Sequence, residues 1–502
     1  MKLALLLEGL EGRIEGDAAV EISGLSYDSR AVAAGHLFFS LARDPERRRA
    51  NITDALNRGA RAIVVASGGG GGARPAVTVV ESARPRPLMG AAAARFFSAP
   101  SERLDLIGIT GTSGKTTTTY LLASILEAAG HPAGIIGTVG IFIRHNKISS
   151  GLTTPESIDI ESALARMERE GVRHVAAEVS SIGIAEGRVD ALNFRGAMFT
   201  NLGRDHLDYH GSLEDYFAAK LKLFTEILPR SRRADIFAVS RGDDPYGQRV
   251  LAAVPTRKLS FGLEPGLDVY PQNYVADAAG IRATIIALGK KIEFTSPLIG
   301  ELNLINILGA SAVSVALGIE PAAVAEGVRR CPGAPGRMEA VAARAGVLVI
   351  VDYAHKPNAL EAVLEAARKF TRGRVICVFG CGGDRDRGKR PIMGAIAARL
   401  SDLPIVTSDN PRSEDPNAII AEIEAGLRDA MKEPGARAKD FRVEPGRRAA
   451  IALALRIAAP GDTVIVAGKG HENYQLVGDR VLAFDDRAVI GEIALEQGYL
   501  KN

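Results

Sequence analysis

Short apolar runs that end in polar residues alternate along most of the chain with segments that carry apolar residues at helical spacing. Such short runs are typical of buried strands, and helices between them favour a parallel sheet. The sequence therefore predicts an α/β protein whose ligands bind beyond the carboxyl ends of the strands. The predicted strands are residues 62–66 and 77–80, then 104–109, 176–180 and 197–201, and finally 347–351, 375–379, 404–407 and 463–467.

Two breaks divide this alternation into three parts. The first lies at Pro100, after a Pro- and Arg-rich patch at 84–87 and a helix-like apolar run that reaches Phe97. The second is the Pro- and Gly-rich segment 331–336, and the glycines at 68–72 predict a flexible loop. A length of 502 residues also suggests three domains at roughly 150 residues each. We expect domains at 1–102, 103–332 and 333–502.

The composition argues against several classes of protein. Lys and Arg total 62 against 59 Asp and Glu, so neither nucleic acid nor a membrane surface is the expected partner. Three cysteines, Cys331, Cys377 and Cys381, are too few for a disulfide framework, which fits a reducing cytoplasm. The apolar run at 3–7 is too short for a signal sequence, and no run approaches the ~20 residues of a membrane span. We expect a cytoplasmic monomer that acts on small molecules.

The segment between the strand at 104–109 and the following helical run has the chemistry of a nucleotide triphosphate cradle. Its glycines let backbone N–H groups point at phosphate, and the helix start favours negative charge. Lys115 can reach the outer phosphates, and the hydroxyl of Thr116 can hold Mg2+. The spacing departs from the Walker pattern, which needs a glycine where Ile109 stands. The expected ATP-binding residues here are Gly111, Thr112, Ser113, Gly114, Lys115, Thr116 and Thr117.

Further polar clusters follow other predicted strands in a specific order. They are Thr153-Thr154-Pro155, Glu178-Val179-Ser180-Ser181, the segment 200–208 with Asp205 and His206, Asp352-Tyr353-Ala354-His355, and Gly468-Lys469-Gly470-His471-Glu472. Together with the cradle they resemble the Mur ligase family over nearly the whole chain. The resemblance implies an N-terminal α/β domain for a UDP-linked substrate, a central P-loop-type parallel-sheet ATPase domain and a C-terminal Rossmann-like α/β domain for an amino acid.

The resemblance also implies a reaction. Within the family it points to an ATP- and Mg-dependent, ADP-forming amide ligase of peptidoglycan biosynthesis, and so to cell-wall formation, cell shape and cell division. Such an enzyme adds meso-diaminopimelate to UDP-N-acetylmuramoyl-L-alanyl-D-glutamate. Because oxide is a poor leaving group, ATP would first phosphorylate the carboxylate, and the amine would attack the acyl phosphate. Lys115 and Mg2+ would supply the countercharge for the clustered oxygens.

Four residues form the expected catalytic set: Lys115, Glu178, His206 and Lys220. Hard cations take oxygen ligands and sometimes imidazole, so Thr116, Glu178 and His206 are the metal candidates. Lys220 matches the lysine that this family carbamylates with carbon dioxide, which turns a cation into a ligand for a second Mg2+. Without the resemblance, a solvated helix lysine is the favoured interpretation of Lys220, and for His206 a structural role is as well supported as a metal-binding one.

Two substrate sites are assigned by the same resemblance. Nucleotide contacts are expected from Asn303, Arg337, Asp352 and His355, although each could instead cap a helix or turn. Contacts to the UDP-linked substrate are expected from Ser29, Thr153, Thr154, Ser180 and Arg188, since hydrogen-bond donors suit uracil and pyrophosphate oxygens. The chain departs from its relatives in the loop 42–49, at Ile182 and at Glu186, which leaves the substrate contacts open at these positions.

The segment after the strand at 404–407 bears on which amino acid is added. Diaminopimelate differs from lysine by a carboxylate, and a guanidinium can bind that group through two charge-assisted hydrogen bonds. At roughly 1.5–3 kcal/mol for each bond, such a clamp would separate the two amino acids by a few orders of magnitude in affinity. Arg412 is the expected specificity residue. The rest of the pocket is expected from Arg385, Asp409, Asn410, Gly468 and Glu472.

Two alternatives remain at this point. A lysine-adding member of the family, or more distantly a folylpolyglutamate synthase or cyanophycin synthetase, would share the cradle but not the Asp409 to Arg412 sequence. A nucleotide-dependent switch or binding protein would turn over ATP whether or not the other substrates were present. Glu178, His206 and Lys220 together favour the ligase.

Overall fold

The computed structural model describes residues 1–67, 77–149 and 151–499. The glycine-rich loop predicted at 68–72 lies outside these ranges. Contacts group the chain into two compact units, one of Met1–Val269 with Gly309–Glu320 and one of Tyr270–Leu308 with Pro321–Asn502. The domain limits expected after residues 102 and 332 remain predictions.

The first unit opens with a five-stranded sheet in the order β1-β5-β4-β3-β2, parallel except for the β1–β5 pair. Buried side chains such as Phe39, Val64 and Ala93 join this sheet to its covering helices. The strands are Arg13–Glu15 (β1), Gly24–Ser26 (β2), His36–Phe39 (β3), Ala62–Ala66 (β4) and Thr78–Ser82 (β5), and the helices are Leu3–Leu7 (α1), Pro45–Asn57 (α2) and Pro85–Phe96 (α3), with 3-10 turns at Ser29–Ala31 and Pro100–Glu102.

The second sheet of this unit runs in the order β13-β12-β11-β6-β10-β7-β8-β9. Its pairs are parallel from β13 to β7 and antiparallel from β7 to β9. Because β6 lies between β10 and β11, the loops that follow these three strands meet at one edge of the sheet.

The strands of that sheet are Asp105–Thr110 (β6), Ala133–Gly137 (β7), Gly140–Ile143 (β8), Asn146–Ser149 (β9), His174–Glu178 (β10), Gly196–Phe199 (β11), Phe237–Arg241 (β12) and Arg257–Phe261 (β13). The helices are Lys115–Ala128 (α4), Ser157–Arg169 (α5), Ser181–Ala185 (α6), Leu207–His210 (α7), Leu213–Lys222 (α8) and Pro245–Ala253 (α9). Helix α8 continues as a π-helix over Leu223–Ile227 and a 3-10 turn over Leu228–Arg230.

After the strand Val269–Asp277 (β14), the second unit contains an antiparallel pair, Gly280–Ala287 (β15) and Lys290–Ser296 (β16), and the helix Pro321–Arg330 (α11). The helix Glu301–Ala316 (α10) belongs to the second unit up to Leu308 and to the first unit from Gly309. A six-stranded sheet follows in the order β17-β18-β22-β19-β20-β21, parallel except for β17–β18. Its strands are Glu339–Arg344 (β17), Val347–Asp352 (β18), Val375–Phe379 (β19), Leu403–Val406 (β20), Arg442–Val443 (β21) and Thr463–Ala467 (β22).

The helices around that sheet are Pro357–Phe370 (α12), Lys389–Leu400 (α13), Pro416–Met431 (α14), Arg447–Ile457 (α15) and Asp486–Glu496 (α16), and a separate hairpin is formed by Tyr474–Val477 (β23) and Arg480–Ala483 (β24). Alternate residues of the central strands enter two different cores: Ile350 and Cys377 belong to one, Val349 and Ile376 to the other. A sheet buried on both faces explains why its strands are continuous apolar runs.

The predicted α/β class is confirmed, and every predicted strand is present within three residues of its expected limits. Among the described residues, no helix is long and apolar enough to cross a membrane.

Candidate functional site

The predicted phosphate cradle lies between β6 and α4, where the sequence placed it. Gly111 and Gly114 have φ values of 144° and 85°, which other residues rarely adopt. A Cβ atom on Gly111 would lie 1.9 Å from the hydroxyl of Thr200, at the end of β11. Thr200 also donates a hydrogen bond of 2.7 Å to the carbonyl of Ser113. Glycine is therefore required where the loop passes the end of β11.

Two lysines meet at the carbonyl oxygen of Gly111. Lys115 Nζ donates to it at 2.9 Å and to the carbonyl of Thr112 at 3.0 Å. Lys220 Nζ, from α8, donates to the same Gly111 oxygen at 2.9 Å. The structure thus brings the cradle lysine and the predicted carbamylation site together at one atom.

Lys220 is not a solvated helix lysine, because its side chain is 1% exposed. Its ammonium lies 4.3 Å from the ring centroid of Tyr216, one turn earlier on α8. Burial, and then the positive charge of Lys115, hold the pKa of Lys220 well below its usual value. A buried amine of lowered pKa is the form that can act as a nucleophile.

Glu178, at the end of β10, is the best-supported carboxylate of the site. It is 1% exposed, and its Oε2 accepts a hydrogen bond of 3.1 Å from the hydroxyl of Thr116. Thr138 donates to both of its oxygens, from the backbone N–H at 2.8 Å and from the hydroxyl at 3.1 Å. A Cβ atom on Gly137 would lie 2.3 Å from Glu178 Oε1. The approach of this carboxylate to β7 therefore requires a glycine.

Thr138 and Tyr216 are site residues that the sequence analysis missed. Thr138 directly follows the apolar run of β7, which is the signal that could have identified it. The hydroxyl of Tyr216 lies 3.2 Å from Thr112 Oγ1, and its ring centroid is 6.2 Å from that of His206. Tyr216 therefore connects the cradle, Lys220 and His206.

The donors available for a hard cation are hydroxyl and carboxylate oxygens. Thr116 and Glu178 are in contact, while His206 has a left-handed backbone, φ 52°, and its Nε2 lies 3.5 Å from Asp205 Oδ2. Within the ranges that the structure describes, three or more His, Cys, Asp or Glu side chains do not form a metal-binding group. Oxygen donors of this kind fit Mg2+, which usually takes one or two carboxylates and keeps several waters.

Four of the five residues expected to bind the UDP-linked substrate lie together. Thr154 Oγ1 accepts from the N–H of Ser180 at 2.9 Å, and its carbonyl accepts from Arg188 Nη1 at 2.9 Å. Thr153 is joined to Thr138 by a hydroxyl contact of 3.0 Å. Ser29 belongs instead to the region of the first sheet, where it is 6% exposed.

Two of the departures noted in the sequence are paired with each other. Arg43, from the 42–49 loop, lies 3.1 Å from Glu186 Oε1, and the hydroxyl of Tyr209 donates to that oxygen at 2.7 Å. Arg86 contacts Glu186 as well and lies 3.2 Å from Glu156. The altered loop is therefore joined to Glu186, a second altered position, by an ion pair.

In the second unit, Tyr353 lies beside three of the predicted nucleotide residues, Arg337, Asp352 and His355. The guanidinium of Arg337 lies 4.9 Å from the centroid of its ring, and the His355 ring is 4.5 Å away. Asp352 precedes it and accepts from the Met338 N–H at 2.7 Å. Burial raises the pKa of Asp352 and lowers the pKa of His355 to about 4. Asn303 is buried on α10, where it donates to the Ile299 carbonyl at 2.9 Å.

Arg412 has an unusual backbone in the predicted amino-acid pocket. Its φ is 52°, a conformation that costs a residue with a side chain about 1 kcal/mol. Its N–H donates to the Leu476 carbonyl at 3.0 Å, and its carbonyl accepts from the Gly478 N–H at 2.7 Å. Its Nη1 donates to the Gly383 carbonyl at 2.8 Å. The hairpin β23–β24 thus holds the backbone of Arg412, and the 382–385 loop holds its guanidinium.

The loop that carries Arg385 is hydrogen-bonded to the residues that follow Arg412. Asp384 accepts from the Ser413 hydroxyl at 2.7 Å, and its own N–H donates to Glu414 Oε1 at 2.6 Å. Arg390, which is fully buried, binds Glu414 with two nitrogens at 2.8 and 3.0 Å. The loop of Arg385 and the segment of Arg412 are therefore joined by hydrogen bonds.

The remaining pocket residues meet at the ends of β20 and β22. Asn410 Nδ2 donates to Glu472 Oε2 at 3.0 Å, and Asp409 is 6% exposed. Gly468 has φ 115°, and a Cβ atom there would lie 3.8 Å from Asp409 Oδ2. Tyr353 donates to Glu472 Oε1 at 3.4 Å, which links this pocket to the predicted nucleotide residues of the same unit.

Comparison with protein families gives two matches. Residues 109–314 match the Mur ligase middle domain, and residues 336–470 match the Mur ligase, glutamate ligase domain. The UDP-N-acetylmuramoyl-L-alanyl-D-glutamate–2,6-diaminopimelate ligase of Geobacter metallireducens is 44% identical over 484 residues, which is 94% of each chain. The ligase of the same name from Solibacter usitatus is 44% identical over 486 residues, or 96% of this chain and 95% of the relative.

Two solved ligase structures also resemble this chain over nearly its whole length. A structure of UDP-N-acetylmuramoyl-L-alanyl-D-glutamate–2,6-diaminopimelate ligase covers 100% of both chains with a TM-score of 0.69 and 31% identity. The MurF ligase of Thermotoga maritima, solved in complex with ADP, covers 96% of this chain and 98% of its own with a TM-score of 0.61. At 18% identity, that second likeness concerns the fold.

Proposed function

The chain belongs to the Mur ligase family, and from that premise we propose that it joins 2,6-diaminopimelate to UDP-N-acetylmuramoyl-L-alanyl-D-glutamate with ATP. It is an ADP-forming amide ligase of peptidoglycan biosynthesis. Relatives that are 44% identical over nearly their full length are named UDP-N-acetylmuramoyl-L-alanyl-D-glutamate–2,6-diaminopimelate ligase. The single structural observation that supports the chemistry most directly is the meeting of Lys115 and Lys220 at the Gly111 carbonyl of the phosphate cradle.

The reaction proceeds in two transfers. A carboxylate oxygen of the UDP-linked substrate attacks the γ-phosphorus of ATP, the bond to the β-phosphate oxygen breaks, and ADP leaves. The uncharged amine of diaminopimelate then attacks the acyl carbon, phosphate leaves with the C–O electron pair, and the amine loses a proton. The cradle N–H groups and Lys115 hold the phosphate oxygens, because their charge must be offset while the γ-phosphoryl group moves.

Mg2+ would be held by Thr116 and Glu178, with His206 as a further candidate. When bound, it supplies positive charge to the phosphate oxygens. The contact of 3.1 Å between Thr116 and Glu178 supports this assignment, since it places hydroxyl and carboxylate oxygens side by side. Thr138 would orient the carboxylate through its two hydrogen bonds.

Lys220 is proposed to react with carbon dioxide. Its unprotonated nitrogen attacks the carbon, an N–C bond forms, one C–O π bond becomes the second carboxylate lone pair, and the nitrogen loses a proton. The burial of Lys220 and its proximity to Lys115 support this step, because both disfavour the ammonium form. The resulting carbamate is an anion with oxygen donors beside the cradle.

Recognition of the amino acid is assigned to the second-unit pocket. Arg412 and Arg385 would bind the distal carboxylate of diaminopimelate. Asp409 and Glu472 would bind an ammonium group of the same amino acid. The left-handed backbone of Arg412 and its fixed Nη1 support this, because a preorganised guanidinium loses little entropy on binding. Asn303, Arg337, Asp352 and His355 are assigned to the nucleotide, and Ser29, Thr153, Thr154, Ser180 and Arg188 to the UDP-linked substrate.

We also propose that the enzyme works in the cytoplasm as a monomer, without a nucleic-acid or membrane partner. The near balance of 62 basic and 59 acidic residues supports the absence of a polyanionic partner. Light scattering at micromolar concentration tests the oligomeric state, and a mass of twice 53.0 kDa would contradict it.

The test of the function is phosphate release with ATP, Mg2+ and UDP-N-acetylmuramoyl-L-alanyl-D-glutamate, with meso-diaminopimelate, with L-lysine and with no amino acid. Release together with tripeptide product only for diaminopimelate is the expected result. A preference for lysine would keep the ligase and remove the assigned role of Arg412. Release that is independent of every acceptor would favour a nucleotide-dependent switch instead.

A further inference from the structure

Lys469 is a fully buried lysine at the end of β22, beside the proposed amino-acid pocket. Its side chain is 0% exposed. Its Nζ donates to Asn410 Oδ1 at 3.2 Å and lies 3.5 Å from both Asp409 Oδ1 and Glu472 Oε2. A buried ammonium is costly unless anions and hydrogen-bond acceptors surround it. Here, the groups that surround it are the proposed substrate ligands themselves.

This contact determines the orientation of the Asn410 amide. Asn410 Oδ1 accepts from Lys469 Nζ and also from the backbone N–H of Leu476 at 3.0 Å. With its oxygen held by two donors, the amide turns its Nδ2 to Glu472 Oε2 at 3.0 Å. Lys469 therefore acts on Glu472 in two ways, directly through its charge and indirectly through Asn410.

Lys469, Asp409 and Glu472 together carry one net negative charge. Arg447, a further buried cation, donates to both oxygens of Asp486 at 2.7 and 2.6 Å, so that its charge is offset chiefly by Asp486. Lys469 faces two carboxylates, those of Asp409 and Glu472, and can offset only one of them. The remaining charge suits one ammonium group of a substrate.

We propose that Lys469 is a positioning residue of the amino-acid site. It holds Asp409, Asn410 and Glu472 in place and leaves these two carboxylates one net negative charge, which suits a single ammonium. The proposal rests on the function proposed above, because it takes this pocket to be the diaminopimelate site.

The experiment compares steady-state kinetics of the full-length enzyme and its Lys469→Met variant. We expect the KM for diaminopimelate to rise at least about tenfold, since loss of one partner of a buried charge group leaves the other unpaired. The KM for ATP is expected to change little. A KM for diaminopimelate within about twofold of the wild-type value, in a variant that binds ADP normally, would overturn the proposal.

A double variant separates charge from simple loss of structure. Asp409→Asn removes one carboxylate, so Lys469→Met combined with Asp409→Asn restores the single negative charge. We expect the double variant to have a lower KM for diaminopimelate than Lys469→Met alone, although Asp409→Asn by itself is expected to raise the KM of the wild-type enzyme. If the two losses simply add, the charge-setting role is wrong.

A second pair of variants serves if Lys469→Met does not fold. Lys469→Arg keeps the positive charge and Lys469→Gln does not, so the KM for diaminopimelate should be lower in the arginine variant. The reverse order would contradict the proposal. Failure of the proposed function would appear differently, as a wild-type enzyme whose phosphate release does not depend on diaminopimelate.

Discussion

Lys115 and Lys220 donate hydrogen bonds of 2.9 Å each to the same carbonyl oxygen, that of Gly111. Lys220 is buried, and the ammonium of Lys115 repels its charge, so its pKa is lowered and its uncharged form is favoured. The loop that carries Lys115 thus favours the uncharged form of a lysine that lies 109 residues away in sequence from Gly111.

Replacement of Lys220 by alanine is expected to lower ligation at least about 100-fold, since a charged group beside the transferring phosphate is lost. In 13C NMR with labelled bicarbonate, the wild-type enzyme should give a carbamate signal that Lys220→Ala lacks. Lys222, which is exposed on the same helix, provides the control. If Lys222→Ala removed the signal, or if wild type gave none and Lys220→Ala remained active, the carbamate assignment would be wrong.

Replacement of Arg412 by alanine is expected to raise the KM for diaminopimelate by about 100-fold, from the loss of two charge-assisted bonds. Arg412→Lys should remain impaired, because an ammonium cannot bind a carboxylate through two parallel bonds. Arg428, an exposed residue of α14 paired with Glu424, is the control position. Unchanged discrimination between diaminopimelate and lysine in Arg412→Ala would assign specificity elsewhere.

The buried ion pair between Arg447 and Asp486 predicts a large effect on stability. Both side chains are 0% exposed, so Asp486→Asn leaves a buried guanidinium unpaired and should lower the free energy of unfolding by about 3–5 kcal/mol. Arg448→Ala breaks surface pairs with Glu492 and Glu496 and should cost at most about 1 kcal/mol. Urea unfolding measures both values, and equal losses would show that burial does not determine the cost.

Glu161 predicts an unusual pH dependence of stability. It is 0% exposed, neither carboxyl oxygen has a hydrogen-bond partner among the described residues, and burial raises its pKa to about 8. Because the folded state binds its proton more tightly than the unfolded state, this contribution is full below about pH 4.5 and is lost as pH rises through about 8.

Glu161→Gln should therefore be more stable than wild type at pH 8, by a margin that shrinks toward pH 5. Glu168→Gln on the same helix is the control, since Arg103 binds Glu168 at 2.7 Å and lowers its pKa. That variant should be slightly less stable than wild type at neutral pH. Urea midpoints measured from pH 5 to 9 test both, and a pH-independent difference for Glu161→Gln would refute the assignment.

Much of the candidate site could be predicted because its residues follow strands. The cradle after β6, Glu178 at the end of β10 and Asp409 after β20 all lie where an apolar run gives way to polar residues. Strand and helix periods are properties of consecutive residues, so the chain itself determines them. The ends of parallel strands share one edge, which is why these positions belong to sites.

The structure alone decided which side chains meet. Nothing in the local pattern of α8 shows that Lys220 is covered, because its burial depends on the Gly111 loop and on Tyr216. The same is true of Thr138 beside Glu178, 40 residues apart, and of Lys469 beside Asn410, 59 residues apart. The chain determined its own strands, helices and turns, whereas contacts between distant segments form only when the sheets assemble.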